Sequence, residues 1–261
     1  MGRALRRFAR GIPGFYLLAV LLMMYLPLIV VVVYSFNSQP KGLMWTGFTL
    51  EWYPKLFSVR QIMQSFRNSL IVSAWSCAIS CVIGTLGAVA LSRVKLKSAS
   101  AIEAIATLPV MMPEIVLGLA FMVTFSMAGL PFGMLTLVLA HVTFCIPYIL
   151  IIVRTRLTGL SPAYEEAARD LGASPIRAFL TVTVPLIAPA VLSGTLLAFA
   201  MSMDDVIISF FMAGPNSTTF PVYVFSKLKT DVPPTVNVMA TLVLGGTFLC
   251  VALAQMVRGK K

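Results

Sequence analysis

Three acidic residues lie inside long apolar stretches of the sequence, namely Glu114, Asp204 and Asp205. Burying an ionised carboxylate in a bilayer costs several kcal/mol, so each of these side chains needs a partner or water. Carboxylates along a membrane path would favour the passage of cations and disfavour anions. We therefore interpret the three acids as candidates for a substrate pathway. The alternative is that an acid pairs with a backbone amide or with a neighbouring subunit.

The same sequence disfavours covalent chemistry. Adjacent residues on a helix point about 100° apart, so Asp204 and Asp205 could not share a proton as an aspartyl protease dyad does. His141 lies in the middle of an apolar stretch without a nucleophile motif, and we interpret it as a histidine hydrogen-bonded within a helix bundle. No Gly-rich phosphate loop is present, so nucleotide must bind elsewhere. The chain is predicted not to be an enzyme and to bind no cofactor or metal itself.

Composition identifies the environment in which these residues act. The chain has 261 residues, of which 59% are hydrophobic and 11% are charged, and its mean hydropathy is +0.93. Several runs are long enough to cross about 30 Å of hydrocarbon, which predicts an all-α polytopic membrane protein. The net charge of +11 is distributed over alternate loops, whereas a nucleic-acid-binding protein would collect it on one soluble face. No nucleic-acid partner is expected.

The apolar runs predict six transmembrane helices in a single domain over residues 1–261. The predicted spans cover residues 15–36, 69–92, 101–127, 134–153, 185–212 and 235–257. Loops 37–68 and 213–234 are predicted to lie outside, with Trp45, Trp52 and Tyr53 at an interface. Fourteen of the 20 Lys and Arg residues then fall on the inner side and six on the outer side. The positive-inside rule places both termini in the cytoplasm.

A polar segment, residues 161–184, separates the fourth and fifth spans and is predicted to be a cytoplasmic joint. Its two helix-start signals are Ser161-Pro162 and Ser174-Pro175, each a capping residue followed by proline at the first helical position. Gly172 is a natural stop for the first helix, and the second is predicted to end near Pro185. The joint should therefore consist of two helices that meet at a bend.

One face of the first helix carries Ala163, Ala167 and Leu171 at a spacing of four residues, so it could lie close to another backbone. In the same segment, Glu166-Ala167-Ala168 is followed after three residues by Gly172 and after nine more by Val182-Thr183-Val184-Pro185. This pattern resembles the EAA motif of ABC importer permeases, although positions 182 and 184 more commonly hold Ile and Leu. In that family the loop is a coupling helix, which docks into a groove on a cytoplasmic ATPase subunit.

The resemblance implies that the coupling loop spans about 161–184. The residues that it implies for coupling to the ATPase are Glu165, Glu166, Ala167, Ala168, Asp170 and Gly172. The alternative is an amphipathic helix that lies on the inner membrane surface.

Other stretches resemble the permease subunits of spermidine/putrescine ABC importers. They are Tyr34-Ser35-Phe36-Asn37-Ser38, Met112-Pro113-Glu114, Ala140-His141-Val142-Thr143-Phe144-Cys145, Ser202-Met203-Asp204-Asp205-Val206, and Gly214-Pro215 with Thr219 and Pro221. Those permeases commonly carry Asp where this chain has Glu114. The resemblance implies a type I ABC importer permease fold in a bacterial inner membrane, and Glu114, Asp204 and Asp205 as residues on a polyamine pathway.

The resemblance also implies partners. A second permease subunit would complete the pore, two ATPase subunits would use ATP and Mg²⁺ below it, and a periplasmic substrate-binding protein would deliver a polyamine from above. Related importers for ferric iron or other solutes share the coupling loop, so another solute remains an alternative. A secondary transporter driven by an ion gradient is a further alternative, which the EAA pattern disfavours.

Overall fold

We describe the protein from a computed structural model. It describes the backbone of residues 2–39, 44–93, 98–228 and 232–258, and the side chains of residues 16–39, 44–93, 98–228 and 232–249. The helices of these ranges are α1 (Gly2–Tyr34), α2 (Trp52–Ser58), α3 (Arg60–Arg93), α4 (Ala99–Met111), α5 (Glu114–Met127), α6 (Met134–Thr158), α7 (Ala163–Asp170), α8 (Pro175–Ala178), α9 (Val184–Asp204), α10 (Ile207–Met212), α11 (Phe220–Leu228) and α12 (Pro234–Arg258). A π-helical turn, Phe179–Thr183, joins α8 to α9.

Four stretches of helix in the described residues are long and apolar enough to cross a membrane. They are Tyr16–Tyr34, Arg60–Arg93, Met134–Thr158 and Pro175–Asp204. The pair α4 and α5 makes a fifth if a bent pair counts as one span, and Pro234–Leu249 is a shorter apolar helix within α12. The polytopic all-α prediction is confirmed. The basic residues at both termini and at positions 95 and 97 lie outside the residues whose side chains are described, and the orientation stays a prediction.

The predicted third span, 101–127, is not one continuous helix. It is broken between α4 and α5, whose axes are bent by 108°. The break falls at Met112, which is extended (φ −82°, ψ 141°) because the ring of the following Pro113 disfavours a helical conformation. Pro113 lacks a backbone N–H and forms the N-terminal boundary of α5. Glu114 is therefore the first residue of a helix rather than a residue in the middle of one.

Two expectations for the fifth span were also wrong. The second helix of the joint does not end near Pro185, because α8, the π-helical turn and α9 form one apolar helical stretch, Pro175–Asp204. The wider π-helical turn directly before Pro185 accommodates a ring that would clash with the carbonyl one α-helical turn earlier. The span instead breaks near its other end, at Asp205 and Val206, before α10 begins.

The chain divides into two compact units, and the larger one, Gln64–Phe225, contains the joint and the three acids. Its core is built around α6, which contributes Leu137, Ala140, Cys145 and Ile149 among its fully buried residues. Glycines let α3 and α9 approach this helix closely. A Cβ atom on Gly84 would lie 3.1 Å from the carbonyl oxygen of Ile146, and one on Gly194 would lie 3.1 Å from the Cα of Ile149. Such small-residue contacts are typical of helix packing in membranes.

The smaller unit consists of Met1–Met63 and Ser226–Lys261. In it the segment after α1 is held by Asn37, whose amide nitrogen donates to the carbonyl of Met44 at 2.8 Å and whose side-chain oxygen accepts from the amide of Thr46 at 3.1 Å. The indole of Trp52 donates to the carbonyl of Asn37 at 2.8 Å and is buried. Trp52 therefore packs within this unit, and its position at a membrane interface stays a prediction.

Candidate functional site

The joint folds as the helix-start and helix-stop residues predict. The hydroxyl of Ser161 accepts from the amide of Ala163 at 3.3 Å, where α7 begins. Gly172 has a φ of +89°, a left-handed conformation that side chains with a Cβ rarely adopt, and it ends the helix. The hydroxyl of Ser174 then accepts from the amide of Arg177 at 3.3 Å and caps α8, with Pro175 at its start. These residues fix where α7 and α8 begin and where α7 ends.

The face of α7 predicted to dock is open in this chain. Ala163, Ala167 and Leu171 are all exposed, and Leu171 exposes 90% of its surface. Glu166 and Asp170 are exposed as well. This face of α7 therefore exposes two alanines and a leucine beside charged residues.

Glu165 differs from its exposed neighbours because it is held within the chain. Its Oε1 accepts from Nη1 of Arg93 at 3.0 Å, and its Oε2 contacts Nη2 of the same guanidinium. The hydroxyl of Thr183 donates to Oε2 of Glu165 at 3.0 Å. Arg93 is the last residue of α3, and Thr183 is the last residue of the π-helical turn. One acid on α7 therefore contacts the end of one transmembrane stretch and the π-helical turn within another.

A cleft of about 390 Å³ opens beside this contact. It lies between α7, the C-terminal ends of α3 and α6, and the beginning of α9. Arg93, Glu165, Glu166, Arg169 and Thr183 are among the residues that line it. The cleft carries charges of both signs, so it has no clear preference for an anion or a cation. It leaves space around α7 on the side that faces the membrane helices.

The structure separates the three intramembrane acids into two groups. Glu114 and Asp204 are exposed in this chain, whereas Asp205 is buried. Glu114 lies in the first turn of α5, where the positive end of the helix dipole stabilises a carboxylate. Asp204 is the last residue of α9. Both exposed acids thus lie at breaks in transmembrane stretches.

The carboxylate of Asp205 is used within the protein. Its two oxygens accept from the backbone amides of Ile208 at 3.3 Å and Ser209 at 2.7 Å, which satisfies free donors at the start of α10. The Nε2 of His141 lies 3.5 Å from Oδ2 of the same carboxylate. The alternative reading of an acid held by backbone amides therefore applies to Asp205.

His141 connects both sides of the break between α9 and α10. Its Nδ1 is 2.7 Å from the hydroxyl of Ser202 on α9, and its Nε2 is 3.1 Å from the hydroxyl of Ser209 on α10. The hydroxyl of Ser202 in turn donates to that of Ser73 on α3 at 2.9 Å. All four side chains are buried. The interpretation of His141 as a hydrogen-bonded histidine of the bundle is confirmed.

Three parts of this site were not identified from the sequence: the partners of His141, the pairing of Arg93 with Glu165, and the role of Thr183. One available signal was a stripe of serines on the second span, spaced by four, three and four residues, which marks one polar face on an otherwise apolar helix. The stripe consists of Ser69, Ser73, Ser76 and Ser80, all buried. Its last two members donate to the carbonyls of Val138 and Val142 on α6. No comparable signal pairs Arg93 with Glu165, because the two residues are 72 positions apart.

Long apolar helices with polar breaks and an exposed amphipathic joint are the features of a membrane transport permease. The chain belongs to the family described as "Binding-protein-dependent transport system inner membrane component", which matches residues 80–259. These permeases are the membrane subunits of ABC importers, and the resemblance inferred from the EAA pattern is confirmed.

Curated relatives are similar over most of the chain. The putrescine transport system permease protein PotI of Escherichia coli strain K12 is 39% identical over 229 residues, covering 85% of this chain and 82% of the relative. The spermidine/putrescine transport system permease protein PotC is 36% identical in Haemophilus influenzae, covering 91% of this chain and 92% of the relative. PotC of Escherichia coli strain K12 is 34% identical over 261 residues, covering 100% of this chain and 96% of the relative.

Solved structures support the fold. A bacterial ABC transporter involved in the import of the acidic polysaccharide alginate matches with a TM-score of 0.72 at 18% identity, covering 99% of this chain and 98% of that chain. An amino acid ABC transporter matches with a TM-score of 0.60 at 16% identity, covering 81% of this chain and 100% of that chain. The chain therefore has the type I importer permease fold.

Proposed function

We propose that this chain is a permease subunit of an ATP-driven polyamine importer and forms half of its translocation pore. The observation that supports the substrate assignment is its identity of 34–39% to putrescine and spermidine/putrescine permeases over 82–96% of the length of those proteins. The chain itself is a transport subunit rather than an enzyme. ATP and Mg²⁺ would be bound by partner ATPase subunits.

The positions of the acids support a cationic substrate. A polyamine is a flexible chain of ammonium groups, and a passage for it should offer separated carboxylates and aromatic faces. Glu114 and Asp204 are exposed at two helix breaks. We assign Glu114 and Asp204 to direct contact with substrate. Asp205 remains part of the proposed pathway through its position next to Asp204.

The exposed face of α7 supports the proposed coupling role. Docking of Ala163, Ala167 and Leu171 into a groove on an ATPase would cover apolar surface that this chain leaves open. Glu166 and Asp170 would contribute charges at that contact, and Gly172 would permit the bend that presents it. Ala168 is half-buried and would support α7 from within the chain.

The remaining parts of the proposal follow from this arrangement. A second permease subunit, encoded as a different chain, would complete the pore, and a periplasmic binding protein would deliver the polyamine. The chain would lie in the bacterial inner membrane as one transmembrane domain with both termini in the cytoplasm. The alternatives are an importer for ferric iron, which would use the same coupling loop, and a secondary transporter, which would need no coupling loop.

ATP hydrolysis by the purified complex tests the proposal. The complex would be isolated through a tag on this chain, reconstituted in lipid with its binding protein, and assayed with spermidine, putrescine, ferric iron and sulfate. We expect a co-purifying ATPase that only the polyamines stimulate. Stimulation by ferric iron alone would overturn the substrate assignment, and the absence of any co-purifying ATPase would overturn the importer assignment.

A further inference from the structure

The contact between Arg93, Glu165 and Thr183 is built as a closed triangle of polar groups. The guanidinium of Arg93 binds both oxygens of the Glu165 carboxylate, and its Nη2 also donates to the hydroxyl of Thr183 at 3.1 Å. That hydroxyl donates to Glu165 at 3.0 Å. Two-point binding of a carboxylate by arginine fixes direction as well as distance. The triangle therefore constrains where α7 lies relative to α3 and the π-helical turn.

Arg93 holds the π-helical turn at a second point. Its guanidinium carbon lies 4.8 Å from the centre of the Phe179 ring, a cation–π contact one turn away from Thr183. The π-helical turn is continuous with α9 and so with the stretch that ends at Asp204. One arginine thus connects the last turn of α3, the coupling helix α7 and the beginning of the fifth span.

The charges of this contact are partly shielded from solvent. The side chains of Arg93 and Glu165 expose 36% and 24% of their surfaces. Within the described residues, no ion pair joins Glu166 or Asp170 to the rest of the chain, so Glu165 is the acid of α7 that is used internally. A group engaged in this way is not free to contact an ATPase, whereas Glu166 is.

We propose that Glu165, Arg93 and Thr183 are positioning residues that transmit movement of α7 to α3 and α9. This inference rests on the proposed coupling role of α7. The ATPase would move α7 through its exposed face, and the triangle would pass that movement to the two transmembrane stretches, including the one that carries Asp204. Without the triangle, α7 could still dock and ATP could still be hydrolysed, but the pore helices would follow less closely.

The experiment compares ATP hydrolysed with putrescine transported by the full complex in proteoliposomes with its binding protein. Glu165→Gln keeps the side-chain size, Arg93→Gln shortens the side chain, and both lose the charge-assisted pair. We expect each to raise the ATP-to-putrescine ratio at least about fivefold. The exchange of both residues, Arg93→Glu with Glu165→Arg, restores the ion pair but not the contact with Phe179. It should therefore lower the ratio below that of either single variant without reaching the wild-type value. Thr183 can serve the exchanged pair because a hydroxyl both donates and accepts.

Glu103→Gln is the matched control. Glu103 forms an ion pair with Arg154, which joins α4 to α6 without touching α7 or the π-helical turn. Glu103→Gln should leave the ATP-to-putrescine ratio unchanged, because the lost ion pair does not connect α7 to the membrane helices. An equal rise with Glu103→Gln, or a wild-type ratio with Glu165→Gln, would overturn the inference.

Thr183 provides a second test if the exchanged pair does not assemble. Thr183→Val removes the hydroxyl at constant shape and should raise the ATP-to-putrescine ratio. Thr183→Ser keeps the hydroxyl and should keep the wild-type ratio. Equal ratios for Val and Ser would contradict the inference. A wild-type complex without ATP-dependent putrescine uptake would instead show that the proposed function is wrong, so the two failures are distinguishable.

Discussion

The imidazole of His141 lies 3.5 Å from the carboxylate of Asp205, and the same ring bridges Ser202 and Ser209 across the break in the fifth span. All of these side chains are buried. A helix break inside a membrane exposes backbone groups that must find partners within the protein. Asp205 provides partners for the amides of α10, and His141 fixes the two helix ends relative to each other. The exposed Asp204 at the end of α9 is thereby held in a defined position.

Asp204→Asn should lower polyamine uptake without preventing assembly. Its carboxylate is exposed, and its proposed role is to attract an ammonium group, which the neutral amide does more weakly. We expect uptake in proteoliposomes to fall at least about tenfold, the equivalent of 1.4 kcal/mol in binding. The yield of the complex and its melting temperature should match the wild type. Wild-type uptake by this variant would remove Asp204 from the pathway.

Asp205→Asn should act mainly on stability. The change weakens charge-assisted hydrogen bonds to two backbone amides and removes the charge beside His141, which should cost about 1–3 kcal/mol in the free energy of unfolding. Melting of the detergent-purified chain measures this effect, with Asp204→Asn as the adjacent control. Equal melting temperatures for the two variants would contradict the assignment of different roles to these neighbours.

The losses of stability caused by His141→Gln and Asp205→Asn should be non-additive. Residues that share a hydrogen-bond network show interaction energies of about 0.5–3 kcal/mol in double-mutant cycles. The control is Thr143→Ala on the same helix, since Thr143 is exposed and donates to the carbonyl of Leu139 within α6. Combined with Asp205→Asn, this control should give additive losses of stability. Additivity in the His141 cycle as well would mean that the two buried groups do not interact.

The sequence predicts the helical class, the joint and its start and stop signals, because these depend on local composition and capping residues. It does not predict the breaks in the third and fifth spans. An apolar run long enough to span a membrane has the same composition whether or not it bends. Proline alone does not mark the break, because Pro109 lies within α4 whereas Pro113 lies at the break. The outcome at each proline depends on which neighbouring helices satisfy the freed backbone groups.

The candidate site was predicted by residue type but not by partner. The cost of a charge in a bilayer applies equally to Glu114, Asp204 and Asp205. The structure distinguishes them by exposure and by the amides that surround Asp205. The resemblance groups Glu165 with Glu166, yet Glu165 pairs with Arg93 at a separation of 72 residues. Such pairs depend on the tertiary arrangement, which one sequence does not contain.

Close packing around α6 gives a further prediction. Gly84→Ala and Gly194→Ala should each destabilise the chain by about 1–3 kcal/mol, because the new methyl group would press on the backbone of α6 or on Ile149. Gly245→Ala is the matched control, since nothing lies within 4 Å of its added Cβ among the described residues. In a helix interior that change should be neutral or stabilising by up to about 1 kcal/mol. Thermal unfolding of the three variants measures the difference, and equal effects would exclude close helix approach at Gly84 and Gly194.

Gly172 tests the joint itself through its backbone conformation. Its φ of +89° strains residues with a Cβ, although no neighbouring atom lies within 4 Å of that position, so any effect of a substitution comes from the backbone rather than from a clash. Gly172→Val should shift the bend at a cost of about 1–2 kcal/mol and misdirect the exposed face of α7. Gly172→Asn should be tolerated better, because Asn adopts left-handed conformations more readily.

We expect Gly172→Val to hydrolyse ATP with little putrescine uptake, and Gly172→Asn to retain most coupled uptake. Gly159→Ala is the control at the end of α6, because Gly159 has an ordinary φ of −86° and a Cβ there would meet no atom closer than 3.6 Å. It should couple like the wild type. Normal coupled uptake by Gly172→Val would mean that the joint tolerates another bend, and the coupling role of this turn would then be wrong. Equal impairment by Val and Asn would instead require a role for glycine beyond its backbone conformation.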